Sequence, residues 1–204
     1  QSSGATFTLE EVAHAATGPI WFQHYLYSDH GLTKSMAQRA QAAGYSALCI
    51  TVDASVPAKR ERILKGNFTN PPSANYADIT SRLGGDDTGG SQKILSLIDQ
   101  SATWPYLEWL ASNTTLPLIV KGILTAEDAK LCAENGAKAL VVSNMGGTSL
   151  DTALSSIEAL PDIVSSVGDR IEVYVDGGIR RGTDVLKALA LGAKAVLVGR
   201  PIFW

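Results

Sequence analysis

Glu172–Arg200 reads EVYVDGGIRRGTDVLKALALGAKAVLVGR, in which one short apolar run closes on Asp176-Gly177-Gly178 and a second closes on Gly199-Arg200. Runs this short, rich in Val and Leu and without alternation, suit strands buried on both faces, as in a parallel sheet. Between them Thr183 or Asp184 is placed to cap a helix, Val185, Leu186, Leu189 and Ala190 form its apolar face, and Gly192 stops it. Upstream, ALVVSNMGG (Ala139–Gly147) is a third run of the same kind. Strand, glycine turn, helix, strand is a βαβ unit, and the chemistry of such units sits where the strands end.

Gly177 and Gly178 carry no side chain to keep an anion from the backbone N–H groups, and Arg180 or Arg181 adds charge. Gly199-Arg200 repeats the arrangement one strand later. The pattern predicts a phosphate site built from two consecutive strand ends, as found after the last two strands of many (β/α)8 barrels.

Working outward, GAKALVV (Gly136–Val142) echoes GAKAVLV (Gly192–Val198), with a looser copy, GYSALCI, at Gly44–Ile50. In each a glycine ends a helix and a strand begins at once. Strand starts at Trp21, Ala47, Leu116, Ala139, Glu172 and Ala195 give six β/α units, with strands over Trp21–Tyr27, Ala47–Asp53 and Leu116–Lys121. The spacing predicts helices over Thr8–Ala15, Thr33–Ala43, Tyr106–Asn113 and from Thr125 to about Gly136, the first and last opening on capping boxes. Period two places Gln23 and Tyr25 on one face of their strand and Phe22 and His24 on the other. A doubly wound sheet is the alternative, but the G-x-G-x-x-G fingerprint after its first strand is absent. Arg62–Trp104, with its Pro and Gly doublets and one helix expected at Ser91–Asp99, reads as a lid-like excursion.

The 204 residues, 45% hydrophobic and 18% charged, are enough for one soluble domain with a sizeable core, spanning 1–204. A net charge of -3 with no long basic run gives no footprint for nucleic acid. No stretch reaches membrane-spanning length, so no membrane partner is expected, and the location expected is cytoplasmic, with the peroxisome as alternative. Cys49 and Cys132 read as buried thiols, and no metal-ligand spacing is present. Asn-x-Thr occurs at Asn67 and Asn113, a pattern frequent by chance.

With those residues placed, the sequence resembles the FMN-dependent α-hydroxy acid oxidoreductases, the family of glycolate oxidase, lactate oxidase and mandelate dehydrogenase. The likeness runs end to end, through Ser2–Thr6, Glu10–Ala13, FQ-x-Y at Phe22–Tyr25, Thr51–Asp53, the Arg60–Arg62 segment, LPLIVKGILTAEDA (Leu116–Ala129), Val141–Asp151, VDGGIRRGTDVLKALALGA (Val175–Ala193) and VLVGRP (Val196–Pro201). The resemblance implies a (β/α)8 barrel of TIM type with FMN across the C-terminal mouth. It also implies that this chain supplies strands three to eight, which leaves Trp21–Tyr27 with an unpaired edge. From such an edge a homo-oligomer is expected.

Carried over residue by residue, the resemblance implies that Ser3, Gln23, Thr51 and Ser143 contact the flavin and that Lys121 places a cation beside its pyrimidine edge. Asp176, Gly177, Gly178, Arg180, Gly199 and Arg200 would hold the ribityl chain and phosphate. Tyr25 would donate to a small 2-hydroxy acid substrate, and Arg60 would pair with its carboxylate.

Two departures stand out. The family motif S-N-H-G-G-R-x-L-D is here Ser143-Asn144-Met145-Gly146-Gly147-Thr148-Ser149-Leu150-Asp151, with Met145 in the place of the base and Thr148 in the place of an arginine that grips the substrate. A thioether is no base near neutral pH, and Asp53, which would orient the imidazolium, lacks its partner. His14, His24 and His30 offer no substitute by position. The expected function is FMN-dependent oxidation of a lactate- or glycolate-like acid to the 2-oxo acid, impaired by Met145. The rivals are a non-catalytic FMN-binding relative and a phosphate-binding isomerase or aldolase using Lys121 as a Schiff-base lysine.

Overall fold

The computed structural model describes residues 1–54, 61, 65–66, 71–77 and 96–203. Six strands, β1 (Trp21–His24), β2 (Ala47–Thr51), β3 (Leu118–Ile123), β4 (Ala139–Val142), β5 (Glu172–Val175) and β6 (Ala195–Val196), lie in one sheet in sequence order, and every pair is parallel. Among the described residues the α-helices are α1 (Leu9–Ala15), α2 (His30–Ala42), α3 (Trp104–Ser112), α4 (Ala126–Glu134), α5 (Ser156–Val167), α6 (Gly182–Ala190) and α7 (Arg200–Phe203).

An unbroken strand order has no switch point, which excludes the doubly wound alternative. The burial pattern says where the helices go. Outward-facing Phe22, Leu48, Ile50, Val120, Leu140 and Val175 share the large core with helix residues such as Met36, Leu110, Cys132, Leu160 and Ala188. The inward cluster of Ala47, Cys49, Ile119, Ala139, Val141 and Tyr174, with Trp21 and Leu197 against it, contains no helix residue among those described.

Trp21 on β1 and Tyr174 on β5 have ring centroids 5.4 Å apart. Four strand spacings in a flat sheet would separate them by about 19 Å. The sheet is therefore curled, and the fold is an incomplete (β/α)8-type barrel whose concave face is its interior.

The internal echo has a physical basis. Gly44, Gly136 and Gly192 all take positive φ, and the residue after each donates five residues back: Tyr45 to Ala40, Ala137 to Cys132 and Ala193 to Ala188, each at 3.1 Å. The next residue then bonds the preceding strand region, Ser46 to Ile20, Lys138 to Leu118 and Lys194 to Val173. One αL cap thus ends each helix and sets the register of the following strand.

Several elements differ from the sequence reading. The strands expected at Trp21–Tyr27 and Ala47–Asp53 end earlier, at His24 and Thr51, and the one expected at Leu116–Lys121 runs Leu118–Ile123. α2 starts three residues before the expected Thr33, because Asp29 accepts from the N–H groups of Gly31 and Leu32. α3 starts at Trp104 with Pro105 in its first turn, a position that needs no N–H. The predicted cap of α6 at Thr183 or Asp184 is corrected to Arg181, because the Asp184 carboxylate, inside the first turn, accepts from the backbone of Arg180 and Arg181. Leu186 and Leu189, expected on its buried face, are exposed, and only Ala188 of that helix is fully buried.

The expected open edge is also elsewhere. Gln23 donates to the Gln1 carbonyl at 2.7 Å and accepts from the Ser3 N–H at 2.9 Å, so Gln1–Ser3 covers β1. β6 pairs only with β5 among the described residues. The Arg62–Trp104 lid and the helix at Ser91–Asp99 lie largely outside the described residues. The pieces that are described are anchored: Asn75 accepts from the Leu9 N–H and donates to the Ser3 carbonyl, Tyr76 is fully buried, and Ile98 bridges Tyr27. Both cysteines are free and buried, and burial raises Cys49 to about 11 and Cys132 to about 12, which keeps them unreactive thiols. Among the described residues no helix is long and apolar enough to cross a membrane.

The division between covered and uncovered leucines is testable. Leu160→Ala, at a fully buried site on α5, should cost about 2–5 kcal/mol, whereas Leu186→Lys on α6 should stay within about 0.5 kcal/mol. Urea unfolding of the two variants separates them, and comparable losses would contradict the burial pattern.

Candidate cofactor cleft and active site

The polar groups gather at the C-terminal strand ends. From β1 and β2, Gln23 donates through Nε2 to Thr51 Oγ1 at 2.9 Å, while its Oε1 accepts from Ser2 Oγ at 3.2 Å. On β3, Lys121 donates through Nζ to Ser143 Oγ at 2.9 Å and pairs with Asp176 Oδ2 at 3.1 Å, each member of the ion pair keeping only 17% of its side chain exposed. The second Asp176 oxygen is buried with no hydrogen-bond partner among the described residues.

Lys121 is aimed by a defect in β3. The β3–β4 register shifts between Lys121 and Ile123, and the extra residue, Gly122, has φ +112. A Cβ there would lie 2.7 Å from the Cβ and Cγ of Asp53. The bulge therefore re-aims the strand end and brings its backbone against Asp53. The sequence reading passed over Gly122, although a glycine inside an apolar strand run is the usual signal of a bulge.

Asp53 has both carboxylate oxygens buried and unpartnered among the described residues. Burial raises its pKa above the ordinary carboxylate value, the Lys121 cation acts in the opposite direction, and Asp176 adds to the rise. A raised carboxyl pKa means that the folded chain holds more protons than the unfolded one between the two values, so stability falls as pH climbs through that window and stays lower above it.

Met145–Gly147 forms a 3-10 turn after β4. The Met145 N–H donates to Ser143 Oγ at 3.2 Å, Thr148 Oγ1 donates to the Met145 carbonyl at 2.8 Å, and Ser149 Oγ lies 3.2 Å from the Met145 sulfur. The Thr148 hydroxyl is thus turned back onto its own turn. Across the mouth Arg200, now the first residue of α7 rather than part of a strand-end turn, donates through Nη2 to the Gly146 carbonyl at 3.0 Å.

A cleft of about 670 Å³ connects these parts and is lined by Lys121, Met145, Gly146, Asp176–Arg180 and Leu197–Pro201. Its volume lies in the range of small-molecule sites. Added Cβ atoms at Gly178 and Gly199 would meet nothing within 4 Å, so the backbone there is open to a ligand. Lys121, Met145, Asp176, Gly177, Gly178, Arg180, Gly199 and Arg200 are thus brought together, with Ser143 bonded to Lys121 from behind.

Other expected site residues are placed differently. Ser3 is fully buried, its carbonyl accepting from Ser73 and Asn75, and it does not line the cleft. Tyr25 is half-buried against the outer core and does not line it either. Arg60 lies outside the described residues. His24 is enclosed on the outer face, where burial lowers its pKa to about 3. His30 stacks on Tyr106 at 3.9 Å, and His14 is exposed.

Fold and site together define a β/α-barrel protein with a cleft lined by glycines and cations at its C-terminal strand ends. The family model of FMN-dependent dehydrogenases matches residues 1–204, and the chain belongs to that family. It is 47% identical over 213 residues to an L-lactate oxidase of a Nostoc species, covering 100% of this chain and 58% of that protein. It is 42% identical to 2-hydroxyacid oxidase 1 of Homo sapiens, covering 100% of this chain and 57% of the relative. Among solved structures, a mandelate oxidase crystal structure matches with a TM-score of 0.85 at 40% identity, covering 100% of this chain and 55% of that one. The chain thus spans somewhat more than half the length of these relatives.

The buried Asp53 gives a measurable consequence. The melting temperature of Asp53→Asn relative to the parent should be least favourable at acidic pH and improve as pH rises above the ordinary carboxylate range, where the parent holds a desolvated charge. Parallel melting curves from pH 4 to 8 would remove the argument.

Proposed function

We propose that the chain is the FMN-binding part of an oxidoreductase that converts a small 2-hydroxy acid, of lactate or glycolate type, to the 2-oxo acid, with turnover limited by Met145. The observation that carries this reading is the Lys121 ammonium held between Asp176 and Ser143 at the head of a glycine-lined cleft that also presents Arg180 and Arg200. FMN, when bound, supplies the two-electron acceptor. The cleft suits it: open backbone at Gly178 and Gly199 and the cations of Arg180 and Arg200 fit a phosphate, the unpartnered Asp176 oxygen fits a hydroxyl donor, and Lys121 fits an edge that gains negative charge.

The chain's own residues support slow chemistry. Oxidation of a hydroxy acid releases a proton, and Met145 cannot accept it. Asp53 has its proton affinity raised by burial, but both its oxygens are enclosed. Thr148 offers no fork for a carboxylate, and its hydroxyl is already bonded to Met145. These same two residues favour, as second reading, a flavin-binding relative without turnover. The Schiff-base reading gains no support, because Lys121 is a paired cation, whereas a nucleophilic lysine needs a desolvated, unpaired amine. Assembly into a homo-oligomer belongs to the proposal and is supported by exposed Leu186, Leu189, Ile202 and Phe203.

The deciding measurement is the absorption spectrum of purified protein before and after lactate or glycolate. A flavin spectrum that bleaches slowly is expected, and colourless protein that takes up no FMN would sink the reading. A spectrum that never bleaches selects the non-catalytic relative. Met145→His combined with Thr148→Arg should raise the bleaching rate by about 10²–10⁴, the contribution of a positioned base. Rapid bleaching by the unmodified protein would show that another group takes the proton.

A further inference from the structure

The Met145–Gly147 turn is gripped from both ends by cations of the cleft. On one side Lys121 Nζ bonds Ser143 Oγ, which in turn accepts the Met145 N–H. On the other, Arg200 Nη2 bonds the Gly146 carbonyl directly. Residue 146 is suited to this contact only as glycine: its φ is +64, and a Cβ would stand 2.8 Å from Arg200 Nη2.

The two grips differ in strength. Lys121 has a carboxylate partner in Asp176, while Arg200 pairs with no carboxylate among the described residues and rests, exposed, on a neutral carbonyl. A guanidinium binds a phosphate dianion through charge-assisted, often bidentate bonds about twice as strong as those to a neutral acceptor. A phosphate monoester in the Gly177, Gly178 and Gly199 end of the cleft therefore competes with Gly146 for Arg200 and wins.

We propose that Arg200 is a positioning residue for the Met145 turn: it latches the turn through the Gly146 carbonyl, and a phosphate group in the cleft draws it away and resets Met145. The inference rests on the reading that the cleft takes a phosphate-bearing flavin. It adds that the phosphate governs the backbone at the opposite, reactive end.

The chain has two methionines, Met36 and Met145, and Met36 is fully buried on α2. Protein labelled with ¹³C-methyl methionine thus gives two resonances, one reporting the turn and one serving as a control on folding. Arg200→Ala should shift the Met145 resonance with no ligand present and leave that of Met36 in place. Gly146→Ala, which pushes the guanidinium off the carbonyl, should shift it too, whereas Arg180→Ala, in the same cleft but not hydrogen-bonded to the turn, should not.

Titrating inorganic phosphate into the parent should move the Met145 resonance toward its position in Arg200→Ala and have no effect on it in that variant. If the Met145 resonance is the same with and without Arg200, or phosphate moves it equally in both, the latch does not exist. Flavin binding, read separately by quenching of FMN fluorescence, keeps the two claims apart. FMN that binds while Arg200→Ala leaves Met145 unmoved overturns the latch and leaves the functional reading standing. FMN that fails to bind while Met145 still responds to Arg200 and to inorganic phosphate overturns the functional reading and leaves the latch standing.

Discussion

Curling a parallel sheet with helices packed on its convex face imposes the constraint from which the rest follows. Among the described residues no helix enters the inward cluster, so strand side chains fill it themselves. Here small residues, Ala47, Cys49 and Ala139, leave room for two rings, Trp21 and Tyr174, which meet across the interior. Above the floor they form, polar side chains collect at the C-terminal rim. Gln23, Thr51, Lys121, Ser143 and Asp176 come from five different strands or strand ends and bond there in two groups, Gln23 with Thr51 and Lys121 with Ser143 and Asp176.

The Lys121–Asp176 pair is better read as preorganisation than as a source of stability. Desolvating both charges costs much of what their attraction returns, so a half-buried pair contributes little net stability. What it achieves is a fixed cation at a strand end, with the bulge at Gly122 setting its direction. Positive charge held in place before a reaction needs no reorganisation when negative charge develops beside it. Asp53 belongs to the same economy of space: the missing side chain at Gly122 is what admits its carboxylate, and the burial that results raises its proton affinity.

Much of this was legible in the sequence, for identifiable reasons. The αL glycines at 44, 136 and 192 fix helix ends and strand starts together, so three of the six strands could be read from punctuation and the others from their apolar runs. The ends of β1 and β2 were overestimated because Tyr25–Tyr27 and Val52 continue an apolar pattern after the ladder has stopped. Periodicity found the apolar side of α6 but could not tell whether anything covers it, and Leu186 and Leu189 proved exposed. A carboxylate at the third helical position mimics a cap in sequence, which is why Asp184 was mistaken for one. The edge of β1 was misjudged because three residues at the start of the chain, with no strand signature, pair with Gln23. The cleft was found because glycine and arginine advertise anion sites, whereas the turn-to-Arg200 contact involves only a carbonyl, which no sequence motif records.

The backbone of the Met145 turn carries one more implication. Met145 has φ 53, a left-handed conformation that non-glycine residues seldom adopt and in which Asn, Asp and His are several-fold enriched. A methionine gains nothing from it locally, and holding such a residue there costs on the order of 1–3 kcal/mol. The conformation is therefore imposed from outside the residue: by Ser143 on its N–H, by Thr148 on its carbonyl, by Asn144 on the Gly147 N–H and by Arg200 on Gly146. Such a turn keeps its shape whatever side chain occupies position 145. The cleft and the cations that hold the turn can thus persist whether the group presented there is a thioether or a base, and the scaffold's binding geometry is separable from its proton chemistry.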